Sequence, residues 1–139
     1  MRKFLIATHG TFAKGAQSSL DIIIGPMENV FLIQAYVEES KGIEEELALI
    51  MENISDDDEL VVFTDLMGGS VTNQILRNAL QSNVHVVSGF NLPLLVEILL
   101  ADTEEPVKEV IANAISAAKE QIVYVNQLLT PKEESDFDD

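Results

Sequence analysis

The sequence predicts an α/β fold, with a doubly wound, mainly parallel sheet covered by helices on both faces. Strand-like apolar runs alternate along the chain with segments of helical periodicity. The strand-like runs are almost continuously apolar, as is typical of strands buried on both faces. Two of them end in a polar group followed by glycine, at Ala7-Thr8-His9-Gly10 and at Thr64-Asp65 before Gly68-Gly69. At 139 residues the chain fits one domain with a sizeable core.

Periodicity and helix-boundary residues predict the individual elements. Gly25-Pro26 ends the first helix, and Thr11, Asn91 and Thr103 are suitable caps for the first, fourth and fifth helices. The predicted strands span residues 2–8, 29–35, 59–65 and 83–88. The predicted helices span residues 12–24, 41–53, 70–82, 92–101 and 104–119. The residues expected to face inward on the first and third helices are Phe12, Gly15/Ala16, Ser19/Leu20, Ile23, Val71, Ile75, Leu76 and Ala79.

Residues 121–125 fit two structures. Helical spacing continues through Ile115, Ala118, Ile122 and Val125, whereas the sequence Ile-Val-Tyr-Val favours a strand locally. Periodicity leaves both alternatives open. The last nine residues, 131–139, are short and acidic and are predicted to be a disordered tail, so the expected domain spans residues 1–130.

Composition excludes several classes of protein. The formal net charge of −16 argues against nucleic-acid binding, which needs lysine and arginine for phosphate contacts. The absence of cysteine excludes disulfides and thiolate metal sites. The apolar runs are far shorter than the ~20 residues that cross a bilayer, and the one at the N-terminus stops at His9-Gly10. A soluble cytoplasmic protein is expected.

The candidate site lies where the strands end. Ligand chemistry in doubly wound sheets gathers outside the carboxyl ends of the strands, at the topological switch point. His9, Asp65 and Asn91 all lie at such ends. If the strand order is 2-1-3-4, the first and third strands are neighbours, and His9 lies beside Asp65.

This pair of residues suits phosphoryl transfer. Imidazole is nucleophilic when neutral, and a carboxylate on one ring nitrogen fixes the tautomer and stabilises the charge that develops on the ring. The phosphoryl oxygens need hydrogen-bond donors. The backbone of Gly68-Gly69 and the Ser70 hydroxyl at the following helix are candidates, together with Gly10 and Thr11 in the first loop.

Plain structural roles are the alternative for each of these residues. His9 can cap or pack at a strand end, Asp65 can cap the next helix, and Gly68-Gly69-Ser70 is a common turn sequence. His85 lies mid-strand and is expected to pack or face solvent rather than react. His9 and Asp65 provide too few ligands for a metal site, so none is expected. The joint placement of both groups at one sheet edge favours function.

Three motifs follow the first, third and fourth strands: Ile6-Ala7-Thr8-His9-Gly10, the run from Phe63 through Asp65 and Gly68-Gly69-Ser70 to Asn73, and the run from Gly89 through Asn91 to Glu97. Together they resemble one known family, the IIA component of the mannose/fructose/sorbose family of the bacterial phosphoenolpyruvate-dependent sugar phosphotransferase system (PTS). Their order and spacing agree across roughly residues 2–125.

The resemblance implies a mechanism. His9 would take a phosphoryl group on Nε2 from the phosphocarrier protein HPr and pass it to a histidine of a IIB component, which serves the membrane components IIC and IID. The residue matching Asp65 holds Nδ1, and the one matching Ser70 lies near the phosphate. Met67 and Asn91 are expected at the rim, and Met67 stands where some members have an aromatic residue. No metal and no organic cofactor are implied.

The resemblance also implies an architecture. The family sheet has the order 2-1-3-4, with a fifth, antiparallel strand exchanged between the subunits of a homodimer. That favours a strand over residues 121–125. No IIB domain follows in the sequence, so a free-standing IIA subunit is expected.

Three other functions are compatible with parts of this pattern. A histidine phosphatase needs several arginines, and Arg2 and Arg77 are the only ones in the chain. The phosphotransfer subunit of dihydroxyacetone kinase is similar, but the run Met67-Gly68-Gly69-Ser70 fits the sugar system better. A non-catalytic α/β binding module is the remaining alternative.

Overall fold

The computed structural model describes residues 1–38 and 42–129 as a four-stranded, all-parallel sheet flanked by helices, with the predicted strand order β2-β1-β3-β4. Within the described residues, no helix is long and apolar enough to cross a membrane. The elements are β1 (Arg2–His9), α1 (Phe12–Ile23), β2 (Val30–Ala35), α2 (Ile43–Met51), β3 (Glu59–Thr64), α3 (Ser70–Ala79), β4 (Val84–Ser88), α4 (Leu92–Leu100), α5 (Val107–Lys119) and α6 (Val125–Leu129).

The two central strands are buried on both faces, which explains their continuous apolar sequence. On β1, Phe4 and Ile6 face a core shared with α1, α4 and α5, while Leu5 and Ala7 face a second core shared with α2 and α3. The rings of Phe4 and Phe63 stack within the first core, 6.3 Å apart. Burying each such large side chain contributes about 1.5–3 kcal/mol, so β1 and β3 form a rigid platform.

The register of this platform brings the candidate residues together. Ala7 on β1 pairs with Thr64 on β3, and on the other side His9 pairs with Ala35 of β2. Parallel strands in register end at the same edge of the sheet, so His9 and Asp65 emerge side by side there. The predicted adjacency of strands one and three is confirmed.

Two of the three predicted helix caps are wrong. Thr11 precedes α1 but makes no side-chain cap, and the buried Thr8 hydroxyl accepts the Ala13 amide instead at 2.8 Å. Helix α5 begins after Pro106 rather than after Thr103, because proline supplies a fixed φ at its start. Asn91 is confirmed as the cap of α4, since its side chain accepts the Leu94 amide at 3.0 Å.

The inward faces of two helices also differ from the prediction. Phe12, Ile23 and Leu76 are exposed, whereas Ala13 and Thr72 are buried. On α1 the small residue Ala13 packs under the sheet edge, and the ring of Phe12 stacks on Phe90 at 5.3 Å instead. Of the other residues predicted to face inward, Ala16, Leu20, Val71, Ile75 and Ala79 are buried, so the helical period and much of each face are confirmed.

Residues 121–124 form neither predicted structure within the single chain. Helix α5 ends at Lys119, and Val125 opens the short helix α6. The apolar side chains of Ile122, Tyr124 and Leu128 are exposed. A strand requires a paired neighbour for its backbone groups, and this segment has none in the sheet of one chain. Residue 41, predicted to start α2, and the acidic tail at 131–139 lie outside the described residues.

Candidate active site

His9 and Asp65 form the centre of the site. Asp65 Oδ2 accepts the backbone N–H of His9 at 2.8 Å and lies 2.9 Å from the ring nitrogen Nδ1. Because an ionised carboxylate can only accept, Nδ1 carries the proton of the neutral imidazole. The second nitrogen, Nε2, therefore keeps its lone pair, which makes it the nucleophilic atom of the ring.

The two side chains differ in exposure as their roles require. The Asp65 side chain is 10% exposed, and that of His9 is 38% exposed. Burial raises the pKa of Asp65, but the hydrogen bonds from the backbone and ring of His9 outweigh it and leave that pKa below its usual value. Asp65 is thus a fixed anion at neutral pH, beneath an accessible imidazole.

The Gly68-Gly69 turn allows the start of α3 to approach this imidazole. Gly68 has φ +78°, a conformation that side-chain-bearing residues rarely adopt. A Cβ atom on Gly69 would lie 3.5 Å from His9 Cε1, so the backbone passes directly along the ring. The Thr72 hydroxyl holds the turn through hydrogen bonds with the Thr64 hydroxyl at 2.7 Å and the Leu66 carbonyl at 2.6 Å.

Helix α3 therefore aims its N-terminus at the site. The first N–H groups of a helix have no intrahelical acceptor, and the helix dipole places partial positive charge there. Ser70, the first residue of α3, adds a hydroxyl. This arrangement suits an anion such as a phosphoryl group next to His9.

Tyr36 also belongs to the site, although sequence reasoning missed it. Its ring centroid lies 5.7 Å from that of His9, and its hydroxyl lies 2.6 Å from Ser70 Oγ. The sequence does place Tyr36 directly after the second strand, at the same edge of the sheet as His9. That position indicates a site residue only once the register is known, because the register pairs Ala35 with His9.

The other predicted site residues lie at the same edge of the sheet but make different contacts. The Gly10 amide donates to the Ala35 carbonyl at 2.8 Å, so Gly10 shapes the turn, with φ +60°, and its N–H is already engaged. Thr11 and Met67 are exposed beside the site. The Asn91 side chain is used within the fold, as the cap of α4 and as a donor to the Ala118 carbonyl at 3.1 Å.

The second histidine lies elsewhere. His85 Nε2 is 2.7 Å from Glu59 Oε1, at the opposite end of β3 from Asp65. In the part of the chain that the structure describes, no group of three or more histidine, aspartate and glutamate side chains is arranged to hold a metal ion.

The fold and site thus define an α/β protein with an accessible histidine, oriented by a carboxylate, at the switch point of its sheet. The family model described as "PTS system fructose IIA component" matches residues 3–115. The chain belongs to this family, EIIA-man of the phosphotransferase system, and membership supports a phosphocarrier role in a sugar PTS.

Individual relatives agree with this assignment. The PTS system mannose-specific EIIAB component of Escherichia coli K12 is 26% identical over 121 residues, which cover 85% of this chain and 38% of that protein. The chain therefore spans about two fifths of the length of the curated relatives it matches.

Solved structures show the same fold. A crystal structure from Klebsiella pneumoniae, described as a phosphoenolpyruvate-dependent sugar PTS permease, is 34% identical, with a TM-score of 0.86 over 93% of this chain and 94% of that one. The PTS IIA protein associated with the fucose utilization operon of Streptococcus pneumoniae is 31% identical, with a TM-score of 0.74 over 93% and 96%.

Proposed function

We propose that this protein is the IIA phosphocarrier of a sugar PTS, in which His9 takes a phosphoryl group from phospho-HPr and passes it to a IIB component. The observation that carries the proposal is the contact between Asp65 and the inner ring nitrogen of His9. Asp65 Oδ2 accepts from Nδ1 at 2.9 Å, so the reactive lone pair is on Nε2 of an accessible ring.

In the transfer step, the Nε2 lone pair of His9 attacks the phosphorus of the donor phosphohistidine. The new N–P bond forms on His9 while the donor N–P bond breaks, and the donor imidazole leaves with that electron pair. Positive charge develops on the His9 ring, and the buried Asp65 carboxylate stabilises it through Nδ1–H. Transfer to the IIB component is the same exchange with His9 as the leaving group.

The phosphoryl oxygens bind at the N-terminus of α3. Backbone N–H groups at Gly69 and Ser70, with the Ser70 hydroxyl, supply donors beside the ring. Gly68 permits the turn and Gly10 closes the first loop, while Thr11 flanks the site. These donors are fixed by the fold before the phosphoryl group arrives, so little reorganisation is needed.

The surroundings of His9 suit a protein donor. The exposed apolar side chains of Phe12, Leu66 and Met67 follow the strand ends that carry His9 and Asp65. Phe12 stacks on Phe90, the residue before Asn91. The strongly negative charge of the chain would attract a basic partner. HPr and the IIB component are accordingly proposed to dock here, in the cytoplasm, and the IIB component would pass the group on to IIC and IID.

Phosphoryl uptake tests this function. The protein is incubated with phosphoenolpyruvate, enzyme I and HPr, and its intact mass is measured. We expect one phosphoryl group that is labile in acid and stable in base. His9→Gln should abolish uptake, and His85→Gln is the matched control that should retain it. Failure of the wild type to accept a group from a cognate HPr, or uptake by His9→Gln, would refute the proposal.

A homodimer with exchanged strands is part of the same proposal. The exposed apolar side chains of Ile122, Tyr124 and Leu128 would be buried if residues 121–125 paired with a second copy. Light scattering is expected to give the mass of a dimer at micromolar concentration. A well-folded monomer under those conditions would contradict strand exchange without affecting the role of His9.

A further inference from the structure

The backbone of Tyr36 is unusual. Its φ of +67° is the only positive value at a non-glycine residue in the described part of the chain. An aromatic residue rarely adopts this conformation, and such strain clusters at functional sites. Burial does not explain it, because Tyr36 is 64% exposed. Its position is set by β2, where the preceding carbonyl of Ala35 accepts the Gly10 amide at 2.8 Å.

The Tyr36 side chain links the two loops that surround His9. Its ring lies beside the imidazole, with centroids 5.7 Å apart and planes tilted by 33°. Its hydroxyl reaches Ser70 Oγ at 2.6 Å. Tyr36 thus contacts both the nucleophile and the residue that begins the anion-binding helix.

The number of protons on the Tyr36 and Ser70 hydroxyls determines which of them can donate to a phosphoryl group. Each hydroxyl has one proton, and either oxygen can donate to the other in the unphosphorylated protein. A phosphoryl group on His9 offers only acceptor oxygens. When Ser70 turns its proton toward that anion, Tyr36 must become the donor to Ser70 Oγ, and each bond in such a chain strengthens the other.

We propose that Tyr36 is a positioning residue for the phosphoryl group: its hydroxyl donates to Ser70 and thereby directs the Ser70 proton at the phosphoryl oxygens, while its ring limits rotation of the His9 imidazole. The proposal rests on the proposed function of His9. Tyr36 itself forms no covalent bond and transfers no proton in the reaction.

The test compares Tyr36→Phe, Ser70→Ala and the double variant. Phosphorylation rates are measured by intact mass with phospho-HPr and with phosphoramidate, a small donor that needs no protein docking. Loss of one such hydrogen bond is expected to slow uptake about 5-fold with both donors. The double variant should be no slower than Ser70→Ala, because the two hydroxyls act in series. Tyr124→Phe, which removes the hydroxyl of the other tyrosine in the sequence, is the control.

A second variant separates positioning from folding. Tyr36→Gly relieves the positive φ, so it should unfold at or above the wild-type urea midpoint although its uptake of phosphoryl groups is slowed. A merely structural Tyr36 would instead give a less stable Tyr36→Gly, and that result would overturn the proposal.

The kinetic outcomes are equally decisive. Wild-type rates in Tyr36→Phe, or a slowing in Tyr36→Phe that multiplies with that of Ser70→Ala, would refute the role of Tyr36 and leave the carrier function intact. A wild type that accepts nothing from either donor would refute both proposals, so the two failures are distinguishable.

Discussion

The sheet contains two histidine–carboxylate pairs that differ in almost every respect except their distance. His9 Nδ1 lies 2.9 Å from Asp65, and His85 Nε2 lies 2.7 Å from Glu59. Around His9 the carboxylate is buried and the ring is open. Around His85 the ring is 14% exposed and the carboxylate 45% exposed.

The choice of ring nitrogen is the more important difference. Asp65 occupies Nδ1, the nitrogen nearer the backbone, and leaves the outer Nε2 of His9 unprotonated. Glu59 occupies Nε2 of His85, so the outer nitrogen of that ring is already paired. The two pairs therefore differ in the nitrogen left accessible for the proposed phosphoryl transfer: Nε2 of His9 is unpaired among the described residues, whereas Nε2 of His85 is paired with Glu59.

Position in the sheet adds to the contrast. Asp65 follows the carboxyl end of β3, where α3 presents its N-terminus. Glu59 is the first residue of the same strand, at the end away from that helix start. In the described part of the chain, the N-terminus of α3 thus places donors for an anion beside the first pair and away from the second.

Removing the two carboxylate charges separately gives the largest expected difference between the pairs. Asp65→Asn removes the charge that stabilises the imidazolium and allows the other tautomer, so phosphorylation should slow about 100-fold. Glu59→Gln should change the rate less than about 2-fold, since its partner takes no part in transfer. Quenched time courses read by intact mass measure both rates, with circular dichroism to check folding. Equal slowing in the two variants would contradict the proposed difference between the roles of Asp65 and Glu59.

Most of the fold was predictable because its signals are local and repeated. Apolar strands, helical periods and the Asn91 cap are each contained in a few neighbouring residues. The strand order, supplied by family resemblance, then places His9 beside Asp65. The first residue of a helix face was harder to predict, because Phe12 and Ala13 are neighbours: Ala13 is buried, and the exposed Phe12 stacks on Phe90.

The unpredicted parts of the site depend on register and on hydrogen bonds across elements. Tyr36 is 34 positions from Ser70 and 27 from His9, and nothing in its local sequence marks it as a site residue. The capping role of Thr8 was missed because its hydroxyl reaches forward to Ala13 from inside the strand. Gly10 and the backbone after it were predicted to bind the phosphoryl group, and the amide of Gly10 itself donates to the Ala35 carbonyl on another strand.

A smaller effect is expected in the pH dependence of stability. The pKa of folded Asp65 lies below its usual value of 3.8. Its ionised form therefore stabilises the fold fully above about pH 4, and this contribution is lost as the pH falls through the folded pKa. With its hydrogen bonds from His9, the carboxylate should contribute about 2 kcal/mol to the free energy of unfolding at neutral pH.

The difference between wild type and Asp65→Asn isolates this contribution. Urea unfolding at pH 7 should show the variant less stable by about 2 kcal/mol, and the gap should narrow as the pH falls below about 4. The pKa of Asp58 is also lowered, by the Ser55 amide and by Lys3, but Asp58 is present in both proteins and cancels in the difference. A gap that stays constant down to pH 2 would show that Asp65 stabilises the fold without its charge, and the electrostatic distinction between the two pairs would then fail.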